Sequence, residues 1–576
     1  MDLNQVMLIA LLAVPAVTAA VVALLGNRRA ALIRWLCLCV TVLNLIMAFA
    51  IMAGFPFDVS PDAPTPTTFQ PNMVPGADPA NLHRTTWNLL DFGPLGAIQF
   101  YIGVDGINLW LIVLTAVLMV SAVLVSWKSV SERVNEYFAW LLLLGTGMLG
   151  VFLSFDVILF YVFFELTLVP LFFLIGIWGG PERRYAARKF FIYTLTGSLI
   201  FLLALLAVVV VCYQKSPANH KVLTFAIPEL VRSVNEHLAD NLPADHAFWQ
   251  SFQFWVFLAM FAGFAIKVPL FPVHTWLPLA HVEAPTAGSV LLAGVLLKMG
   301  TYGFLRLAVP LAPDACLTIG LPLVGALAVV GIIYGALCAL AQDDLKKLVA
   351  YSSVSHLGFC MLGMFALNSA GLTGSLLQMI NHGLSTGGLF LIVGMLYERY
   401  HTRHLSDFSG IGSKLKLLTF CMVFMSLSSI GLPGLNGFVG EALVFFGMFD
   451  VRPALAIVGT AGILLGAWYL LTMLWSVFFG PLKEPEIEGH HPILDLEWRE
   501  IATLAPIMSL CLFIGIYPQP VIDVATHDLN VVADIVKNQK TRMDAHHAVT
   551  TPVSGETLPA TDVGGGPGRH TAERPS

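Results

Sequence analysis

Long apolar segments follow one another along nearly the whole chain, and they constrain its fold more than any other feature. A helix needs about 20 predominantly apolar residues to cross the hydrocarbon core of a bilayer. About fourteen segments have roughly that length, and they lie at 5–25, 31–53, 105–127, 137–154, 155–178, 188–213, 251–272, 285–308, 316–340, 347–367, 372–398, 415–448, 454–480 and 500–520. The sequence therefore predicts an all-α polytopic membrane protein with about fourteen transmembrane helices.

The composition leaves little of the chain for work outside the membrane. Of 576 residues, 57% are hydrophobic and only 11% are charged, whereas about a quarter of the residues in a soluble domain are charged. This balance excludes a separate soluble catalytic domain. The net charge of −6 does not indicate nucleic acid as a partner. The eight cysteines never form a C-x-x-C pair, so neither an iron–sulfur cluster nor a disulfide framework is predicted.

The distribution of lysine and arginine predicts the orientation of the chain. If the N-terminus is outside, one set of loops holds most of these residues, Lys346 among them. The opposite loops hold only Arg84, Lys215, Lys221, Arg232, Arg306 and Arg452. By the positive-inside rule the richer set is cytoplasmic, and both termini lie on the outer side. The N-terminus lacks the basic region of a signal peptide, so the first helix is expected to be retained.

The chain is predicted to comprise five regions. They are N-terminal helices (1–130), a first half-channel repeat (131–310), a second half-channel repeat (311–482), a C-terminal helix (483–522) and a polar tail (523–576). The proline-rich stretch 55–80 fits neither helix nor strand, so it is predicted to be an outer surface loop. The tail has no apolar face to bury after Lys537, and we expect it to be disordered.

Six ionisable side chains lie within the apolar segments. They are Glu165, Lys267, Lys298, His356, His382 and Glu441. All but Lys267 and Glu441 lie about ten to thirteen residues into a segment, which at about 1.5 Å per residue places them near the middle of the bilayer. Lys267 and Lys298 are the only cations left once the loops and the tail are assigned. A buried cation costs several kcal/mol at such a depth, which indicates a functional role.

Two of these groups adjoin interruptions in the apolar pattern. Lys267 precedes Pro269 and Pro272, and Glu441 follows the glycine-rich run 431–437. Interrupted helices in mid-membrane are how transporters build ion sites. Glu165 and His356 each lie on the helix two before an interrupted one. This order predicts two inverted five-helix repeats, each with a helix broken in mid-membrane.

The six groups are more informative together than singly. A lone histidine in an apolar helix is most often a packing residue, whereas a buried carboxylate or lysine more often has a function. A structural ion pair needs two partners, not a series of six. The set therefore predicts a path for protons or other cations through the bilayer. His401 and His404 lie in a polar loop without carboxylate or cysteine support, and no metal site is predicted.

Three motifs carry a family resemblance. They are Phe-Glu-Leu at 164–166, Ala-Ile-Lys-Val-Pro-Leu at 265–270 and His-Thr-Trp-Leu-Pro-Leu-Ala-His-Val-Glu-Ala-Pro at 274–285. The combination resembles the antiporter-like membrane subunits of respiratory complex I, the proton-pumping NADH:quinone oxidoreductase. The last motif is quite specific, and the resemblance covers roughly residues 130–480. The proline-rich insertion at 55–80 departs from the family pattern.

The resemblance implies a role for each of the six groups. Glu165 would be the carboxylate partner of Lys267, and Lys298 would be the central relay. His356 and His382 would be further relay groups. Glu441 indicates the M type of the family, because the L and N types carry lysine at that position.

The resemblance also implies the setting in which the chain works. Its partners would be the L-type and N-type chains and the small membrane chains of complex I, in the bilayer of the bacterial cytoplasmic (inner) membrane. The chain would hold no redox cofactor and would act as a subunit of the enzyme. NADH, FMN, iron–sulfur clusters and quinone would bind to partner subunits.

Two other functions stay open from the sequence. A subunit of an Mrp-type sodium/proton antiporter shares the same motifs and has no link to redox chemistry. A purely structural membrane anchor is disfavoured by the spacing of the six ionisable groups. The sequence does not decide whether the ion is H⁺ alone or also Na⁺.

Overall fold

The computed structural model describes residues 3–56, 67–217, 221–239, 243–485 and 493–550, with backbone alone at 243–246 and 547–550. Long helices make up most of this part of the chain. The helices are α1 (Leu3–Leu25), α2 (Ala30–Ala53), α3 (Leu109–Ser129), α4 (Val134–Leu153), α5 (Val157–Leu166), α6 (Leu168–Trp178), α7 (Arg183–Lys215), α8 (Ile227–Ala239), α9 (Pro243–Lys267), α10 (Trp276–Glu283), α11 (Thr286–Leu291), α12 (Leu297–Gly303), α13 (Val309–Leu311), α14 (Pro313–Ala315), α15 (Leu321–Leu340), α16 (Leu345–Met364), α17 (Ser369–Tyr400), α18 (Lys416–Ile430), α19 (Asn436–Val451), α20 (Pro453–Gly459), α21 (Ala461–Phe478), α22 (Trp498–Ile516) and α23 (Gln519–Thr550).

Several of these helices continue one another through wider, π-helical turns. Such turns lie at Leu292–Leu296, Phe304–Ala308 and Cys316–Gly320. They join α11 to α12, α12 to α13 and α14 to α15. A π-helical turn changes the backbone pairing locally and is frequent at functional sites.

Short strands connect the helices at one end of the bundle. Strand β1 (Ala77–Asp78) pairs antiparallel with β2 (Asn81–Thr85). Strand β3 (Asn88–Asp91) pairs antiparallel with β4 (Gly96–Gln99), with Asn88 opposite Gln99, and β4 pairs parallel with β5 (Leu223–Thr224). The helical class is confirmed, but these strands were missing from the all-α prediction. They have two to five residues, which is too few for a periodic signal.

The predicted count of fourteen transmembrane helices is not confirmed. Twelve helices in the described residues are long and apolar enough to cross a membrane. The other two predicted segments, 347–367 and 415–448, also form helices. The first is α16, which carries two lysines and several serines, and the second is divided into α18 and α19, with 15 and 16 residues.

Polar side chains before the helices fix where several of them begin. Asp156 accepts hydrogen bonds from the first backbone N–H groups of α5, and Asp344 does the same for α16. Asn368 caps α17. Glu497 and Glu500 form a reciprocal capping box at α22. These residues satisfy N–H groups that have no partner within the helix, so the apolar helices start at defined positions.

The centre of the bundle consists of α3, α17 and the helical stretch 286–311. In each of the last two, the most apolar 18 residues are all buried, whereas α1, α2 and the stretch 453–478 expose much of their surface. Small residues allow the central helices to approach closely, since a Cβ atom on Gly383 would lie 2.8 Å from the Gly294 carbonyl oxygen. Lys298 and His382 lie on these two central helices.

The two broken helices hold the same place in successive blocks of five. The first block is α4, α5–α6, α7, α9–α10 and α11–α13, and the second is α14–α15, α16, α17, α18–α19 and α20–α21. In each block the fourth member, α9–α10 or α18–α19, is interrupted. The inverted relationship between the blocks stays a prediction.

The expectation that 55–80 is a loop holds for most of its described part, but the expectation that this loop lies on the surface is wrong for several of its residues. Residues 57–66 lie outside the described residues. Phe69, Met73 and Val74 are buried in the hydrophobic core, and the backbone N–H of Asn72 donates to Val104. Apolar side chains between the prolines give this segment a face to bury, so it packs although it is not helical.

The expectation of a disordered tail at 523–576 is wrong up to residue 550. Helix α23 covers Gln519–Thr550, and its buried side chains include Val524, Leu529, Val532 and Val536. These residues recur every three to five positions and form an apolar stripe that packs against α8, α13, α14 and α17. Residues 551–576 lie outside the described residues.

The approach of α17 to α19 gives a test of the packing. A Cβ atom on Gly374 would lie 2.5 Å from the Val444 backbone nitrogen. Because backbone cannot move aside, we expect Gly374→Ala to destabilise the protein by about 1–3 kcal/mol. Thermal unfolding of the detergent-solubilised protein measures this as a lower Tm. Gly466→Ala is the matched control, since nothing lies within 4 Å of a Cβ at Gly466. Equal Tm values for the two variants would contradict the packing described here.

Candidate functional site

Glu165 lies near the end of α5. The predicted continuous segment at 155–178 is confirmed, since Val157–Trp178 forms one helix of membrane-crossing length. Only Thr167, whose backbone is helical, separates α5 from α6. The Thr167 hydroxyl between them donates to the Phe164 carbonyl at 2.8 Å. The half-buried Glu165 carboxylate interacts with Ser198 on α7 and, through space, with Lys267.

Lys267 is the last residue of α9 and is buried. Its ammonium nitrogen lies 4.6 Å from the centroid of the Phe164 ring, a distance typical of a cation–π contact. Among the described residues, no nitrogen–oxygen distance of 4.0 Å or less joins Lys267 to Glu165. The two residues are therefore neighbours without a direct ion pair.

The break after Lys267 is supported by neighbouring groups. The N–H of Leu270 donates to the Ala265 carbonyl at 2.9 Å, and the Trp276 indole N–H donates to the Ile266 carbonyl at 2.9 Å. These carbonyls belong to the last turn of α9, where no backbone N–H of the same helix is available to pair with them. Because both carbonyls are hydrogen-bonded, the end of α9 can lie in an apolar environment.

Lys298 lies just after the π-helical turn Leu292–Leu296 and is fully buried. Its ammonium donates to the Ala293 carbonyl within that turn. The ammonium also lies 2.7 Å from Nδ1 of His382, on α17. This distance is that of a hydrogen bond, so the lysine and the histidine are in direct contact.

His382 leads to His356 and then to Glu441. The imidazole rings of His382 and His356 have centroids 5.7 Å apart. Nδ1 of His356 lies 3.7 Å from Oε1 of Glu441, and Nε2 lies 3.2 Å from the Ser429 hydroxyl. The separation of His356 and Glu441 is longer than a hydrogen bond, so a proton would cross it by way of a water molecule or a small side-chain rotation.

Glu441 lies against the break between α18 and α19. Gly431 ends α18 with a φ of +82°, and a Cβ atom there would lie 2.7 Å from Oε2 of Glu441. Only glycine readily adopts this conformation and leaves room for the carboxylate. The Gln378 side-chain amide donates to Oε1 at 3.3 Å. Asn436 holds the start of α19, since it accepts from Ser428 at 2.6 Å.

Four of the six predicted groups thus form one buried series, Lys298–His382–His356–Glu441. Glu165 and Lys267 form a second group. A Cβ atom on Gly300 would lie 3.0 Å from the Lys267 Cβ, so Lys267 lies beside the helix that carries Lys298. The two groups are adjacent, and the described contacts do not join the two ammonium groups directly.

Some polar residues around the series were not predicted from the sequence to belong to the site. Gln378 and Ser429 contact Glu441 and His356, but buried glutamine and serine are too common to be a signal. His281 is fully buried beside Phe390, with ring centroids 4.6 Å apart, and neither ring nitrogen has a hydrogen-bond partner among the described atoms. Its place in the 274–285 motif could have marked it as a candidate.

Two cations assigned to loops are in fact buried. Arg306 was placed in an outer loop, but it lies in the π-helical turn Phe304–Ala308 and is fully buried. Lys346 was placed in a cytoplasmic loop, but it lies in the first turn of α16 and donates to the Ala284 carbonyl. Both are near segment ends, where sequence boundaries are least certain, and both have close partners that a linear reading does not show.

Comparison with known proteins agrees with this architecture. A family model described as NADH:quinone oxidoreductase/Mrp antiporter, transmembrane, matches residues 154–466. The NADH-quinone oxidoreductase subunit M of Rhodobacter capsulatus is 38% identical over 513 residues, which cover 88% of this chain and 90% of that protein. The chain therefore belongs to the NADH:quinone oxidoreductase/Mrp antiporter family of membrane subunits, as its motifs predicted.

Solved structures show the same fold. A chain of respiratory complex I from Thermus thermophilus with bound NADH is 28% identical, with a TM-score of 0.74, and the match covers 92% of this chain and 99% of that one. A chain of the Mrp complex from Dietzia sp. DQ12-45-1b also has a TM-score of 0.74, covering 94% and 99%, but is only 19% identical. The second match shows the fold alone.

Proposed function

We propose that this chain is an M-type, proton-translocating membrane subunit of an NADH:quinone oxidoreductase. The observation that carries the proposal is the buried series Lys298–His382–His356–Glu441, whose members are linked by distances of 2.7 Å to 5.7 Å. Ammonium, imidazole and carboxylate groups in such a series can pass a proton from one to the next. Glu441 and the identity to an M subunit favour the M type.

Charge movement between Glu165 and Lys267 would drive the transfer. Two unit charges about 6 Å apart interact by about 3 kcal/mol at an effective dielectric constant of about 20. Moving one charge across a potential of about 100 mV needs about 2.3 kcal/mol. A change in the separation of Glu165 and Lys267 is therefore large enough to favour proton release from Lys267 towards Lys298.

The chain would act as part of an enzyme without performing the redox step. NADH, FMN, iron–sulfur clusters and quinone would be held by partner subunits, and their redox chemistry would drive this chain. The partners would include L-type, N-type and small membrane chains. The chain would lie in the bacterial inner membrane, and the positive-inside rule supports an orientation with both termini on the outer side.

Partner identification separates this proposal from an Mrp-type sodium/proton antiporter. An affinity-tagged full-length chain is purified from native membranes in mild detergent. We expect it to bring with it flavin and iron–sulfur absorbance in stoichiometric amounts and NADH oxidation activity. Purification with other membrane chains alone, without these signals, would favour the Mrp alternative. Purification as a single chain would favour a structural anchor.

Substitution of Glu165 tests whether its interaction with Lys267 controls proton release. We expect Glu165→Gln to lower proton pumping and NADH:quinone turnover together, while the complex still assembles, because the charge that acts on Lys267 is removed. Inverted membrane vesicles report pumping by dye quenching and turnover by NADH oxidation. Glu132→Gln is the matched control, since Glu132 is exposed beside α4. Normal pumping in Glu165→Gln would show that the Glu165–Lys267 interaction does not drive proton transfer.

Glu441 tests the exit end of the series. We expect Glu441→Asp to retain most pumping and Glu441→Ala to lose most of it, because a titratable acid at the helix break is required to release the proton. Asp450→Asn is the control, since Asp450 is exposed on the same helix. If Glu441 only holds the break in place, Glu441→Gln keeps the hydrogen bonds and pumps at a near-normal rate. Near-normal pumping by Glu441→Gln, in membranes that contain the fully assembled complex, would rule out the exit role.

A further inference from the structure

A second cluster of buried charges lies outside the relay series. The Arg306 guanidinium forms two hydrogen bonds with the Asp105 carboxylate, at 2.6 Å and 2.8 Å, and both side chains are fully buried. Arg306 also donates to the Tyr302 hydroxyl at 3.0 Å. The backbone N–H groups of Ile107 and Asn108 donate to Asp105 as well. Asp105 therefore accepts hydrogen bonds from one guanidinium and two backbone amides.

The C-terminal helix adds a second carboxylate to this cluster. Asp528, on α23, is 4% exposed and accepts a hydrogen bond from the Gly106 N–H at 2.6 Å. Gly106 follows Asp105 directly in the chain. A Cβ atom on Gly106 would lie 1.9 Å from the Val524 carbonyl oxygen, so α23 lies directly on this turn. Helix α23 is not among the membrane-crossing helices of the described chain.

The charges of this cluster do not balance when both acids are ionised. Two carboxylates and one guanidinium leave a net charge of −1 in a buried place. An unbalanced buried charge is costly, and a buried acid avoids the cost by taking up a proton. Asp105 is fully engaged with Arg306 and backbone amides, so Asp528 is the group left to be protonated.

We propose that Asp528, docked against the Asp105–Arg306 pair, is a proton-binding site distinct from the relay, and that loss of this proton loosens α23 from the bundle. The proposal concerns residues outside the Lys298–Glu441 series and does not depend on the function proposed above. It assigns a role to a helix whose docking the sequence did not indicate.

The raised pKa of Asp528 is consistent with this geometry. Burial, followed by the negative charge of Asp105, raises the pKa of Asp528 to about 8, against lowering effects of the Gly106 N–H and Arg306. The docked helix therefore holds the proton more tightly than the free helix. Docking is strongest below the pKa of a free carboxyl, weakens as the pH rises towards about 8, and stays at its weaker level above that value.

The other ionisable groups near α23 lie further along it. Arg232 and Glu236 of α8 line a cavity with Asp534 and Lys537. Asp314 of α14 lines another with Arg542. From α17, the contact near Asp528 is the neutral hydrogen bond between Ser369 and Asn530, at 2.7 Å. The ionisable groups that act on Asp528 itself are Asp105 and Arg306.

Infrared spectroscopy of the purified complex tests protonation directly. The difference between wild type and Asp528→Asn at pH 6 is expected to contain the C=O stretch of one protonated carboxylic acid, which disappears as the pH rises through about 8. Asp523→Asn is the matched control, because Asp523 is exposed on the same helix and accepts a hydrogen bond from the Gln519 side chain. Its difference spectrum should lack this band. Absence of the band in the Asp528→Asn difference would overturn the proposal.

Amide hydrogen exchange tests the loosening of α23. After correction for the intrinsic exchange rate, opening of α23 in wild type should increase by up to about tenfold per pH unit between pH 5 and pH 7 and level off above about pH 8. Asp528→Asn should abolish this dependence, and Asp523→Asn should keep it. If Asp528→Asn fails to assemble, α23 is compared with the β1–β2 hairpin in wild type. Equal pH dependence of the two segments would overturn the proposal.

Discussion

The cost of placing charge in an apolar interior governs this structure. Every buried ion described above is met by a specific group: Arg306 by Asp105, Lys298 by His382 and a backbone carbonyl, Lys267 by the face of an aromatic ring. A buried ionisable group without such a partner would become neutral by gaining or losing a proton, or would destabilise the fold. The helices that carry these groups must therefore pack in one arrangement, and the same compensation makes the groups sensitive to proton transfer.

Irregular turns and breaks in the helices supply the acceptor and the space that two of the buried charges need. The π-helical turn before Lys298 presents the Ala293 carbonyl, and the break at Gly431 makes room for the Glu441 carboxylate. Each irregularity leaves backbone groups that need partners, and nearby side chains such as Trp276 and Asn436 provide hydrogen bonds at the breaks. The relay and the irregular backbone thus depend on one another: regular helices would offer neither the acceptor nor the space.

The end of the bundle that carries the strands is tied together by contacts distant in sequence. Helix α23 covers the turn at Gly106, and that turn positions Asp105 against Arg306. Arg306 lies eight residues after Lys298 along the same helical stretch, with Tyr302 between them. The C-terminal helix and the central lysine are therefore connected through one stretch of helix, although the two ionisable clusters are separate.

The sequence alone determined that the chain is helical and membrane-embedded, because apolar length is a local property. It also singled out six ionisable groups within the apolar segments, although not the buried Arg306, Lys346 and His281, and it showed that proline and glycine runs interrupt two helices. The order of contacts in the series was decided by tertiary packing, since Lys298 and His382 are 84 residues apart. The same holds for the docking of α23 on Gly106, 422 residues away along the chain. A polar helix with a narrow apolar stripe resembles a disordered tail until the surface it covers exists, and only the folded bundle provides that surface.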